Sequence, residues 1–351
     1  MDAFTERVMR KNKSNQSRLP LTISAQYGLV DQITFFNKVV ASTDLSNYYL
    51  LKKGEFAYNK SYSSDYPWGA IKRLDNYDQG ALSSLYICFA PQDNVVSDFI
   101  LQYFESPKWH KGISEIAVEG ARNHGLLNVA VQDFFHTYHY VPKDKKEQIK
   151  ISKLLMLLDE RISTQNKIID KLQSLIKGIR NKLFENDKDW RKAKIREFLC
   201  IGNGKDYKHL DIGDIPVYGT GGKMLSVNDF LYDGDSVCIG RKGTIDTPLF
   251  LTGKFWTVDT LFYTYGFKDV LPKFCYYLFK QINWQLYNEG TGVPSLSKST
   301  IENIKVRIPS IVQQYKICYI LDSYEDKIKN EGLILDLYCS QKQYLLRQMF
   351  V

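Results

Sequence analysis

From Gln148 to Phe184 the chain carries a hydrophobic repeat whose length and regularity demand a long helix with a partner. Its apolar residues stand at Ile151, Leu155, Leu158, Ile162, Ile169, Leu172, Ile176, Ile179 and Leu183. Gln165 fills the remaining place, so steps of four and three alternate throughout. A mean step of about 3.5 residues is the seam of a coiled coil rather than the broad stripe of a surface helix. No proline interrupts it, and Gly178 alone weakens it. At ~1.5 Å per residue such a helix is roughly 55 Å long.

The same pattern occurs a second time, 166 positions later. Gln148, Lys150, Ile151, Leu155, Ile162, Ile168, Asp170, Ser174 and Phe184 meet Gln314, Lys316, Ile317, Leu321, Ile328, Ile334, Asp336, Ser340 and Phe350. Leu335 falls on the seam place of Ile169, and Glu331 on that of Gln165. Pro142 and Pro309 stand just upstream of each copy. Two helices with matching seams in one chain are expected to pair. The alternative, two unrelated amphipathic helices on separate cores, does not account for identities that keep one register without a gap.

The segments around these helices also repeat a plan. In residues 1–141, Lys53-Gly54-Glu55 reads as a turn before a short strand-like run. Leu82 to Phe89 reads as a strand and Ser97 to Phe104 as a short helix. A glycine-bounded loop, Glu119 to Gly125, follows. In residues 189–307, Asp233-Gly234-Asp235 precedes the run Ser236 to Ile239, Thr260 to Tyr265 is the later strand, and Pro272 to Phe279 the short aromatic helix. Glu289 to Ser295 is the loop. The class is α+β. The expected layout is a first domain at 1–141, a long helix and linker at 142–188, a second domain at 189–307 and a second long helix at 308–351. Antiparallel helices would give a pseudo-two-fold molecule with its chain ends close together.

Charge narrows the partners. The net charge is +8, and the surplus is uneven. Residues 142–188 hold 12 basic against 7 acidic groups, and residues 189–307 hold 16 against 13. A basic surplus suits a polyanion. No apolar run approaches the roughly 20 residues that span a bilayer, and Met1 to Arg7 lack the apolar core of a signal peptide. Six scattered cysteines without a Cys-x-x-Cys pair read as free buried thiols of a reducing compartment, so a cytoplasmic location is expected.

Catalytic equipment is sparse. The glycine-rich stretches Gly202-Asn203-Gly204, Gly219 to Gly222 and Gly290-Thr291-Gly292 give neither the Walker spacing nor G-x-G-x-x-G. No Asn-Pro-Pro-aromatic tetrad is present to hold a flipped adenine. The five histidines make no metal spacing, so no metal is expected. His136 and His139 lie in what reads as a strand and point to opposite faces, which suits a surface role. The five tryptophans, Trp68, Trp109, Trp190, Trp256 and Trp284, are expected in the core. Nucleic acid is better served. Lys60, Arg73, Arg122, Asn123, Lys223, Arg241, Lys242 and Lys298 sit in or beside predicted loops among aromatics and glycines. Arg and Lys suit guanine edges or phosphates, and Asn suits adenine.

At this point the chain resembles the specificity (S) subunits of type I restriction-modification systems. The resemblance rests on Glu147 to Gln165 after Pro142, and on Gln313 to Ile328 after Pro309, which look like the family's conserved regions. It extends to Leu19 to Ser24, Glu119 to Gly125, Ile215 to Gly222 and Val293 to Ser297, which look like pieces of its target recognition domains. It implies two target recognition domains that each read one half of a split site in double-stranded DNA. The helix pair, with its seam at Ile151, Leu155, Leu158, Ile162, Ile169, Leu172, Ile317, Leu321, Ile328 and Leu335, would set the gap and dock modification (M) subunits. The M subunits would carry S-adenosylmethionine and methylate adenine. Restriction (R) subunits would use ATP and magnesium to cut. The chain itself would bind no cofactor and catalyse nothing. Two other classes remain open on the residues alone: a coiled-coil adaptor presenting two protein-binding domains, and an enzyme acting on DNA by itself. One departure is visible. The second domain opens with Trp190 to Phe198, 26 residues before Pro216, whereas 19 residues and no Trp precede Pro20. The first domain is therefore expected to lack part of its opening segment.

Overall fold

The computed structural model describes residues 1–38, 40–117, 125–185 and 189–350. These form two compact units: Met1–Asn166 with Ile334–Val351, and Lys167–Leu333. Each unit joins a globular part to the start of one long helix and the end of the other.

Unit 1 runs β1 (Thr5–Arg7), β2 (Pro20–Ser24), β3 (Gly28–Asp31), α1 (Gln32–Phe36), β4 (Tyr49–Lys52), β5 (Phe56–Asn59), β6 (Ala70–Arg73), β7 (Gln79–Leu82) and β8 (Ile87–Pro91). Then come α2 (Ser97–Glu105), α3 (His110–Ile116), α4 (Val131–His136) and the long α5 (Lys145–Glu185), whose second half belongs to unit 2. Its two sheets have the orders β1-β8-β5-β6 and β3-β2-β7-β4. All neighbours are antiparallel except β2 and β7. The turn at Lys53-Gly54-Glu55 joins β4 to β5, and Gly54 takes the left-handed φ of +87° that such a turn needs. The run Leu82 to Phe89 is not one strand. Residues 83–86 turn between β7 and β8, and the polar pair Ser83-Ser84 supplies that turn.

Unit 2 runs β9 (Arg191–Lys194), β10 (Cys200–Asn203), β11 (Ile212–Gly219), β12 (Gly222–Val227), β13 (Tyr232–Asp233), β14 (Ser236–Gly240), β15 (Leu249–Leu251), β16 (Lys254–Thr257) and β17 (Leu261–Tyr265). Then come α6 (Pro272–Phe279), α7 (Lys298–Asn303), β18 (Lys305–Ile308) and the long α8 (Ile311–Gln348). Its sheets have the orders β10-β17-β14-β15 and β12-β11-β16-β13, again antiparallel except at β11 and β16. Strand for strand, order and sense match those of unit 1. Unit 2 adds one antiparallel ribbon, β9 with β18. The described residues of unit 1 hold no such ribbon.

Each core is aromatic. In unit 1, Phe56 stacks on Phe89 and Tyr58 on Phe134, with Trp109 edge-on. In unit 2, Phe184 stacks on Phe274 beside Trp190. The Trp109 indole donates to Phe104 O at 3.0 Å, and the Trp284 indole donates to Phe279 O at 2.9 Å. Four of the five tryptophans are buried, and Trp68 packs at the margin of its core. His139 is half-buried at the edge of this core rather than on the open surface expected of it. His136 ends α4, and the chain then turns His139 inward. There its Nδ1 meets the Tyr103 hydroxyl at 2.8 Å and its Nε2 the Thr137 hydroxyl at 2.7 Å. Burial pushes its pKa down to about 3. The cysteines divide: Cys88, Cys238, Cys275 and Cys318 are buried, Cys200 and Cys339 exposed, all six free.

The repeated helix residues have specific tasks. At the start of α5, buried Gln148 accepts from Val96 N–H at 2.7 Å and donates to Pro142 O at 2.7 Å. At the start of α8, buried Gln314 accepts from Leu271 N–H at 2.8 Å and donates to Pro309 O at 3.0 Å. Val96 and Leu271 are the residues that open α2 and α6. The same glutamine thus ties each long helix to the short helix of its unit. At the far ends, Phe350 lies edge-on to Phe99 of α2, and Phe184 stacks on Phe274 of α6. Within unit 1, Asp159 pairs with Lys342, and Arg161 lies over the Tyr338 ring. The two helix segments there pass in opposite senses. In unit 2, the Tyr277 hydroxyl donates to Asp322 at 2.5 Å and Lys280 to Glu325 at 2.9 Å. Ile151, Leu155, Leu158, Ile317 and Leu321 are buried, while Ile162, Ile169, Leu172, Ile328 and Leu335 are half-buried. The closed seam positions lie toward the start of each long helix, with Gln165 buried further along α5.

Candidate nucleic-acid interface

The loop that leaves β14 is clamped to the segment preceding α7 by two backbone hydrogen bonds that frame the pair Lys242–Ser295. Leu296 N–H donates to Arg241 O at 2.9 Å, Lys242 bridges to Ser295, and Gly243 N–H donates to Pro294 O at 2.9 Å. Arg241 N–H is held from behind by Thr260 O at 2.7 Å. Gly240 cannot be replaced here, since a Cβ would stand 2.0 Å from Thr244 O where the loop folds back on itself.

Unit 1 builds the same clamp after β5. Leu127 N–H donates to Lys60 O at 2.9 Å, Ser61 bridges to Leu126, and Tyr62 N–H donates to Gly125 O at 3.0 Å. Lys60 thus occupies the place of Arg241, and Ser61 that of Lys242. Backbone carries the arrangement, so side chains are free to differ between the units.

In unit 2 the clamped loop carries two of the expected cations. Arg241 and Lys242 are exposed, and no carboxylate among the described residues pairs with either. Gly243, at φ +87°, lies beside the Thr220 hydroxyl at the tip of the β11–β12 hairpin. That hairpin presents exposed Lys223 opposite Tyr218. The far side of the clamp is rigid: Asn288 Oδ1 accepts from Gly290 and Ser295 N–H groups, both at 2.9 Å. Glu289 accepts from the Thr300 and Ser297 hydroxyls, which hold its carboxyl below the usual value. Asn288 and Glu289 were not among the expected site residues. Their signal was the Asn-Glu-Gly turn followed by Ser-x-x-Thr.

The remaining expected residues differ. Lys298 opens α7 and lies 3.7 Å from Glu302, four residues on. Lys60 is half-buried. Arg73 is committed: its guanidinium meets Asp75 and Asp98, both at 2.7 Å, and the Ser97 hydroxyl at 3.0 Å, with the side chain only 11 % exposed. It braces the start of α2, so phosphate would have to displace two carboxylates to reach it. Arg122 and Asn123 lie outside the described residues. Among the described residues no group of three or more His, Cys, Asp or Glu is placed to hold a metal, and no helix is long and apolar enough to cross a membrane.

Residues 187–336 match the family model of the type I restriction modification DNA specificity domain. A putative type I restriction enzyme specificity subunit of Haemophilus influenzae is 29 % identical over 152 residues, which is 38 % of this chain and 39 % of that protein. The MjaVIII type I restriction enzyme specificity subunit of Methanocaldococcus jannaschii is 24 % identical over 133 residues, 36 % of this chain and 29 % of that protein. These matches span well under two thirds of either relative's length. In fold the chain is similar to the type I restriction-modification S subunit from M. genitalium. That likeness has a TM-score of 0.62 at 18 % identity and covers 100 % of this chain and 94 % of the other. A chain from a structure of a type I restriction-modification complex gives 0.61 at 12 % identity, covering 98 % and 94 %. Over residues 187–336 the chain is thus similar to the type I restriction modification DNA specificity domain, and in fold to type I restriction-modification S subunits.

Proposed function

We propose that this chain is the DNA sequence-recognition subunit of a type I restriction-modification assembly, and that each of its two globular parts reads one half of a split site. The observation that carries the reading is the repeated clamp. Two sheets of identical topology hold one basic loop in the same backbone register, at Lys60 and at Arg241-Lys242. Fixed backbone with variable side chains is what a module needs to read different bases with the same frame. The contact set includes Arg241, Lys242 and Lys223 in unit 2, with Lys298 at its margin. In unit 1 it includes Lys60, and Arg122 and Asn123 are kept in the set from the sequence.

The layout proposed is recognition domains at 1–141 and 189–307, with long helices at 142–188 and 308–351 as an antiparallel pair. That pair sets the gap between half-sites and docks the modification subunits. The half-open seam supports this, because a helix pair left partly uncovered offers apolar surface to further helices. The chain catalyses nothing in this reading. S-adenosylmethionine belongs to the modification subunits, ATP and magnesium to the restriction subunits, and the assembly works in the cytoplasm.

The test is DNA affinity of the chain bound to its modification subunit, measured against salt. Site-specific binding should weaken steeply as salt rises. Replacing Arg241 and Lys242 by Ala should abolish preference for one half-site. Affinity that is indifferent to sequence and to salt would instead favour a protein-binding adaptor.

A further inference from the structure

The β9–β18 ribbon has an arrangement of charge that its structural role does not explain. Its cross-strand partners are Lys194 with Lys305 and Lys192 with Arg307. Alternate residues of a strand share a face, so all four cations project from the same side. Like charges directly opposite each other destabilise an antiparallel pair. The other side is ordinary: Ala193 and Ile308 are buried against the core of unit 2. No carboxylate among the described residues forms an ion pair with Lys192 or Lys305. Lys194 Nζ donates to the Asn303 amide oxygen at 3.3 Å. A groove of about 770 Å³ runs beside this face, and among the described residues Glu185 and Glu197 line it together with the four cations.

We infer that the outward face of this ribbon is a sequence-independent contact for the phosphate backbone of double-stranded DNA. The inference rests on the DNA-reading function proposed above and adds an anchor to unit 2 that the described residues of unit 1 do not contain. Lysines predominate on this face, and the centres of protein–protein interfaces are depleted of lysine. Phosphates need no base-reading geometry, which suits side chains on a rigid ribbon rather than on loops. Position agrees. The six residues of α7, Lys298–Asn303, join the clamped loop to β18. Such a helix is about 9 Å long, so a duplex seated on the loops runs within reach of the ribbon.

The test compares the full chain, in complex with its modification subunit, with its Lys192→Ala/Lys305→Ala variant. Affinity for a duplex carrying the methylated site, and for an unrelated duplex, is measured between about 50 and 200 mM salt. Two lost phosphate contacts should make the log–log salt slope shallower by about 1.8 for both duplexes. The methylated sequence should stay the same, and Lys192→Arg/Lys305→Arg should restore the slope. An unchanged slope in a variant that still binds its site would overturn the ribbon contact and leave the proposed function standing. Loss of the modification subunit with DNA affinity intact would also overturn it, marking an acidic protein face as the partner. An unsubstituted complex with no salt-dependent DNA binding would sink both.

Discussion

Arg73 and Arg241 look alike in the sequence, each a basic residue at a strand end, and the structure gives them opposite tasks. Arg241 lies open on a clamped loop; Arg73 is locked between Asp75 and Asp98. The difference comes from α2, which brings Asp98 back 25 residues later, and no local pattern announces that. Arg73→Ala should therefore cost about 1–3 kcal/mol of stability by leaving two carboxylates without their partner. It should leave the DNA salt slope unchanged, and chemical denaturation alongside DNA titration checks both. His139 shows the same limit: its i, i+3 spacing from His136 is visible in the sequence, its burial against Tyr103 and Thr137 is not. Because its folded pKa is depressed, unfolding takes up a proton below the ordinary value of 6.5. Its contribution is whole above pH 6.5 and is lost as pH falls toward about 3. Over that window stability should fall by about 1.4 kcal/mol per pH unit from this group alone. Urea unfolding of the His139→Gln variant should show a shallower pH dependence by that amount.

At the scale of elements the long helices were legible throughout, because a 3.5-residue repeat and its gapless second copy survive without tertiary information. The short helices α2 and α6 and the glycine turns before β5 and β14 were legible for similar local reasons. The strand register was not, since the parallel pairings β2–β7 and β11–β16 join segments far apart in sequence. Nor was the reason for the repeated glutamines. Gln148 and Gln314 fall one three-residue step before Ile151 and Ile317, and each is a buried double clamp that joins a proline carbonyl to the first turn of a neighbouring helix. Replacing either by Ala strands a buried N–H and a carbonyl, and should cost about 1–3 kcal/mol. Differential scanning calorimetry should show Gln148→Ala lowering the transition of unit 1 and Gln314→Ala that of unit 2. Equal, small effects of a surface substitution would contradict the clamp.

For the molecule as a whole, the resemblance drawn from the helix repeats is carried by the family match at residues 187–336 and by the likeness of fold. Which bases are read was never legible, because loop side chains meet base edges only in three dimensions and no code links them. The ribbon β9–β18 gives a structural form to the opening-segment difference seen between the two halves of the sequence. In the proposed function one chain reads two half-sites at a fixed separation. Its most direct test is to co-express the chain with its modification subunit and map methylated adenines across the host genome. The expected result is one split motif, two short half-sites with a constant gap, and loss of the second half-site when Arg241 and Lys242 are replaced by Ala. A stable complex that methylates at a single undivided motif, or with variable gaps, would contradict it.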